Sequence, residues 1–92
     1  MLDFSKPLTG LDGAEIKDEQ GKPVMLSKIL ASELAQSAKG DPLKYWDWAK
    51  KLNDGKGLDL DPSDTGTLKE FIKSSERLTI MPKAQLLEVF KD

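Results

Sequence analysis

Apolar residues along this chain change their spacing near residue 26, and that change divides the sequence into two regimes. From Leu26 onward they recur at intervals of three and four: Leu26, Ile29, Leu30, Leu34 and Ala38 fall on one face of a helix. Ser27 is the expected N-cap and Gly40 the stop, so the first helix is predicted over Ser27–Lys39. Asp41-Pro42 then offers a capping carboxylate followed by a proline at the first helical position, where the missing N–H costs nothing. The second helix starts there and ends at Asn53-Asp54-Gly55, with Tyr45, Trp48, Ala49 and Leu52 as its buried stripe and Leu43 and Trp46 on a flanking face. Trp46 and Trp48 stand about 200° apart on a helical wheel, so one of the two indoles is expected to be partly exposed.

The same device repeats at Asp61-Pro62, after a short extended connector, Leu58-Asp59-Leu60. It predicts a third helix with Leu68, Phe71 and Ile72 inward, running to about Glu76, helped by Asp64 in its first turn. Leu78-Thr79-Ile80 reads as extended. Pro82 is expected to open a fourth helix with Ala84, Leu87, Val89 and Phe90 facing the core. Apart from the two Asp-Pro starts, no internal repeat is read.

Residues 1–26 lack helical periodicity and are rich in turn formers: Pro7, Gly10, Asp12-Gly13, Gly21 and Pro23. Ala14-Glu15-Ile16-Lys17 and Lys22-Pro23-Val24-Met25 flank Asp18-Glu19-Gln20-Gly21, a connection that suits a β-hairpin. Pro23 cannot donate a ladder bond, which puts its strand on an edge or confines the pairing to residues outside it. The predicted fold class is mainly α with a short N-terminal β-hairpin (α+β). About four short helices form one compact domain over 1–92, with 1–26 as a turn-rich arm and 27–92 as the helical region.

Composition narrows the chemistry. At 92 residues a single domain buries only roughly 60 to 65% of its unfolded surface, so self-association is an accessible way to gain burial. Fourteen Lys and Arg against sixteen Asp and Glu give a net charge of −2, which disfavours binding to a polyanion. Cysteine and histidine are both absent, removing thiolate and imidazole chemistry and the usual zinc ligands. No apolar run reaches the roughly 20 residues of a membrane span, and Met1-Leu2-Asp3-Phe4-Ser5 lacks the basic segment followed by an apolar stretch that a secretory leader carries. The expected location is the cytoplasm.

Three constellations invite a chemical role. Asp59-x-Asp61-x-Ser63-Asp64-x-Gly66, with Glu70 twelfth from Asp59, is laid out like a calcium loop. Asp64 stands where such a loop needs glycine, however, and a helix starting at Pro62 would consume it. Helix capping accounts for these carboxylates better. The first two helices around Gly40-Asp41-Pro42 have the turn length of a helix-turn-helix, with Lys44, Lys50, Lys51 and Asn53 available to DNA, but Asp41 and Asp47 sit where phosphates would lie. Tyr45-Trp46-Asp47-Trp48 is an aromatic cluster of the kind that anchors protein interfaces. Tyr45, Trp46 and, in the turn-rich arm, Phe4 are the candidate partner contacts. No catalytic, cofactor-binding or metal-ligating residue is assigned, and no small-molecule substrate is inferred. Carboxylates brought together only in the fold are the remaining route to a hydrolase.

The stretch Leu2-Asp3-Phe4, Pro7-Leu8, Leu11-Asp12-Gly13, Ile16-Lys17-Asp18-Glu19, Gly21-Lys22-Pro23-Val24, Leu26 and Leu30-Ala31 resembles the opening of small uncharacterised proteins encoded in tailed-bacteriophage and prophage genomes. Gly40-Asp41-Pro42-Leu43-Lys44, Ala49-Lys50-Lys51-Leu52, Leu58-Asp59-Leu60-Asp61 and Gln85-Leu86-Leu87-Glu88 extend the likeness. The Tyr45–Trp48 cluster lies outside it. The resemblance implies a phage origin, a role in virion or tail assembly, and partners that are other phage proteins or further copies of the chain, in the host cytoplasm or on the virion. It brings no activity and no site residue. The expected function is a non-enzymatic protein-contact role; the alternative is a DNA-associated phage regulator acting through the first two helices.

Overall fold

The structure, a computed structural model, describes residues 1–91 and contains four helices among them. They are α1 (Leu26–Ala35), α2 (Pro42–Asn53), α3 (Pro62–Ser74) and α4 (Ile80–Glu88). The Cα radius of gyration, 12.7 Å, matches the roughly 12 Å of a compact unit this long. One core gathers Phe4 and Leu8 from the arm, Leu30 and Leu34 from α1, Trp48 and Leu52 from α2, Leu68 and Ile72 from α3, and Leu86 from α4. α1 packs on α2, and α4 touches both α1 and α3. Lys28, early in α1, donates from Nζ to the carbonyl oxygen of Asn53 at 2.7 Å, so the start of α1 lies beside the end of α2.

Both Asp-Pro starts form as expected. Asp41 accepts from the N–H groups of Leu43 and Lys44, each at 3.1 Å, and Asp61 accepts from that of Asp64 at 2.7 Å. Other boundaries differ. Ser27 is not a cap: α1 begins at Leu26, and Ser27 is buried within it. The reason is non-local, because the Leu26 N–H donates to the Lys6 carbonyl at 2.8 Å and needs no side-chain acceptor. α1 also stops at Ala35 instead of Lys39, leaving Gln36–Gly40 as a turn. α4 starts at Ile80, two residues before Pro82, which then occupies its first turn. Leu86 is its fully buried residue, while Ala84, expected to face inward, is exposed.

The N-terminal hairpin does not form as a ladder of two paired strands. Three isolated antiparallel bridges take its place: Pro7 with Met25, Thr9 with Glu15, and Lys17 with Pro23. Each segment divides its pairing between the other two. Leu8 donates to the Val24 carbonyl (2.7 Å), Val24 to that of Ile16 (2.8 Å), and Ile16 back to that of Leu8 (2.9 Å), closing a ring. Leu8, Ile16 and Val24 are spaced by eight residues, and the spacing is a repeat in the sequence itself. Lys6-Pro7-Leu8 matches Lys22-Pro23-Val24, and Gly13 matches Gly21, both glycines having left-handed φ (83° and 79°) at equivalent turns. Every bond of the ring uses an even-numbered residue, so the missing N–H of Pro7 and Pro23 interrupts none of them. A second tie holds the arm down, where Leu2 and Leu58 exchange N–H to carbonyl bonds, both 2.8 Å.

Candidate functional site

α2 presents two unlike faces. Inward, Trp48, Ala49 and Leu52 are buried. Tyr45 stacks on Trp48 with ring centroids 5.5 Å apart and meets Phe71 of α3 edge-on at 5.4 Å. The Tyr45 ring also lies over Gly40, where an added Cβ would come within 2.5 Å of it; with φ at +102° as well, that position suits glycine alone. Tyr45 is thus a half-buried anchor for the start of α2, and its ring is largely committed to neighbours within the chain.

Outward, Leu43, Trp46 and Lys50 line up at helical spacings of three and four. Leu43 is 82% and Trp46 56% exposed, whereas Trp48 is 4% exposed. The indole expected to be exposed is therefore Trp46. Beside it, a groove of about 410 Å³ runs between the end of α1 and the start of α2, with Leu34, Ala35, Ala38, Pro42 and Tyr45 among its lining. Phe4, the third candidate contact, lies elsewhere. It is fully buried, edge-on to Phe90 at 5.8 Å, which makes it a core residue and removes it from the contact surface.

A wider depression, about 1050 Å³, opens between the turn after α1 and the exposed side of α3. Glu33, Lys39, Glu70, Glu76 and Arg77 line it together with uncharged Ser63, Thr67, Tyr45 and Phe71. Arg77 is held over it by a hydrogen bond from Nη2 to the Gln36 side-chain oxygen and by Glu33, 3.9 Å away.

Two carboxylates of the calcium-like stretch, Asp61 and Asp64, have partners within the chain. Residues 62–74 are helical, Asp61 caps them, and Asp64 receives Lys44 Nζ at 2.8 Å. That contact raises the Lys44 pKa, first through the hydrogen bond and then through the charge of Asp64, with smaller contributions from Asp41 and Asp61. It also ties α2 to α3. Among the described residues, no group of three or more Asp or Glu side chains is placed to hold a metal ion. Of the lysines offered to DNA, Lys44 is engaged with Asp64, and Lys51 pairs with Asp47 at 3.1 Å.

One contact has no counterpart in the sequence reading. Gln85 of α4 forms a reciprocal pair with the backbone of Thr9, accepting from its N–H at 3.0 Å and donating to its carbonyl at 2.8 Å. Among the described residues, no helix is long and apolar enough to cross a membrane. A scan against protein-family models and searches of curated proteins and of solved structures each gave no match.

Proposed function

We propose that this chain is a non-enzymatic module that acts through protein contacts, encoded by a tailed bacteriophage and employed in virion or tail assembly. One observation carries the contact reading: Leu43 and Trp46 stand exposed in a row on α2, beside a groove with apolar lining. Keeping a tryptophan in water forgoes roughly 1.5–3 kcal/mol of burial, and indole is among the side chains most enriched in the energetic centres of interfaces. The phage assignment rests on the sequence resemblance, and it places the protein in the host cytoplasm or on the assembled particle.

A photo-crosslinking amino acid at position 46, with one at the exposed Lys69 as control, tests the contact in phage-producing bacteria. A discrete protein adduct from position 46 and none from position 69 is expected. Adducts with nucleic acid alone would move the assignment to a DNA-associated regulator, and no adduct at all would remove the face from consideration.

A further inference from the structure

We infer that the partner received at the Leu43–Trp46 face is an acidic, apolar segment of another protein, a bulky aliphatic or aromatic residue flanked by Asp or Glu; the inference rests on the contact reading above and deepens it. The groove supplies the apolar half of the argument. Ala35 and Ala38, at and just past the end of α1, and Pro42, Leu43 and Trp46, in the first turns of α2, are all exposed and all line the same 410 Å³ recess. Two small alanines leave room beside a leucine and an indole for a large apolar side chain. The recess falls within the roughly 300–1,000 Å³ of sites that take a short ligand.

Charge supplies the other half. Lys39 is the one Lys, Arg, Asp or Glu among the residues lining the groove, and among the described residues no carboxylate lies within ion-pair distance of its ammonium. Lys50, one helical turn beyond Trp46 on α2, is likewise without an ion pair. The carboxylates that flank these residues in sequence are already engaged. Glu33 faces Arg77, Asp41 accepts from the N–H groups of Leu43 and Lys44, and Asp47 pairs with Lys51. Asp54 has no ion pair, but it stands at the opposite end of α2 from the groove. The recess thus presents positive charge beside apolar walls. A basic segment would set like charges together at Lys39, and nucleic acid gains little from two lysines on a chain of net charge −2. An acidic segment pairs a carboxylate with Lys39 while its apolar residue fills the recess, and the lysine stem adds to the wall. Such rim pairs act on orientation and association rate more than on affinity.

The test is a yeast-displayed library of random short linear peptides, sorted for binding to the full chain and counter-sorted against Trp46→Lys, with Leu43→Lys in its place should that variant fail to fold. The expected result is enrichment of peptides that join a bulky apolar residue to Asp or Glu. A synthetic copy of an enriched peptide should bind Lys39→Glu roughly two- to tenfold more weakly, as an exposed attraction turns to repulsion. Exchanging the acidic residue of that peptide for lysine should recover the loss, and added salt should shrink the difference. Thermal unfolding of Lys39→Glu should match wild type, since the ammonium holds no carboxylate within the described chain. Enriched peptides of neutral or basic composition overturn the acidic partner, as does affinity indifferent to Lys39→Glu. Enrichment indifferent to Trp46→Lys and Leu43→Lys, or none at all, overturns the groove as a peptide site. The contact reading is judged separately by the crosslink from position 46: a protein adduct there without acidic selection retains the contact and removes this inference alone.

Discussion

The side-chain amide of Gln85 reads the backbone of Thr9 as a neighbouring strand would, accepting from its N–H and donating to its carbonyl across 76 positions of sequence. The N-terminal ring is thereby fastened to the last helix. Replacing Gln85 by Leu leaves both Thr9 groups partly buried and unpaired, a loss of about 1–3 kcal/mol. Thermal unfolding should fall by about 4–8 °C for each kcal/mol in a domain of this size. Gln85→Glu keeps the acceptor and loses the donor, so it should fall between wild type and Gln85→Leu; scanning calorimetry of the three proteins checks the order.

Gly13 and Gly21 hold equivalent turns of the ring, with nothing within 4 Å of an added Cβ. Alanine at either position should therefore cost only the left-handed backbone penalty, about 1–2 kcal/mol. Gly40→Ala combines the same penalty with a collision against Tyr45 and should be the most damaging of the three. Pairing Gly40→Ala with Tyr45→Ala relieves the collision, so the double variant should lose less than the two single losses together, a coupling that denaturant titration measures.

The Lys44–Asp64 contact has a defined pH signature. The lysine pKa is raised in the folded chain, so its contribution is complete below the ordinary lysine pKa and fades as pH climbs through the raised value. Lys44→Met should therefore be less stable than wild type at neutral pH, and the gap should close in strongly alkaline solution. Urea titrations of both proteins across that range check it. A gap that widened with pH would contradict the assignment.

Asp61 caps α3 through the N–H of Asp64, and we expect that role for it in place of cation binding. Asp61→Ala should destabilise the fold by about 1 kcal/mol, and millimolar calcium should leave the melting temperature of the wild-type protein where it was. A calcium-dependent rise abolished by Asp61→Ala would reverse that conclusion.

The two indoles should report separately. Trp46→Phe leaves the buried Trp48, with blue-shifted emission poorly reached by acrylamide, whereas wild type adds a red-shifted and readily quenched component.

What could be read from the sequence was what depends on near neighbours. Asp41-Pro42 and Asp61-Pro62 announced two helices because a carboxylate and a proline fix the first turn by themselves, and helical spacing alone separated Trp46 from Trp48. Features that need a distant partner were hidden. Ser27 looked like a cap only because the Lys6 carbonyl that satisfies Leu26 comes from the arm. The hairpin was a reasonable pairing of the second and third segments, but it overlooked the first, whose Lys6-Pro7-Leu8 repeats as Lys22-Pro23-Val24. The eight-residue spacing of Gly13 and Gly21 was the signal that could have exposed the threefold pattern. Phe4, expected as a partner contact in the turn-rich arm, belongs to the core because that arm is closed on itself and held down by Leu58 and Gln85.

The alternation within the ring has a consequence for how copies behave when crowded together. Its outward-facing positions are 7, 9, 15, 17, 23 and 25, and few are left to template a foreign strand. Pro7 and Pro23 have no N–H to offer, Thr9 is taken by Gln85, Met25 feeds the first turn of α1, and Glu15 and Lys17 place charge on the remaining side. A segment built from extended chain is in this way denied the edge-to-edge growth that leads to fibrils.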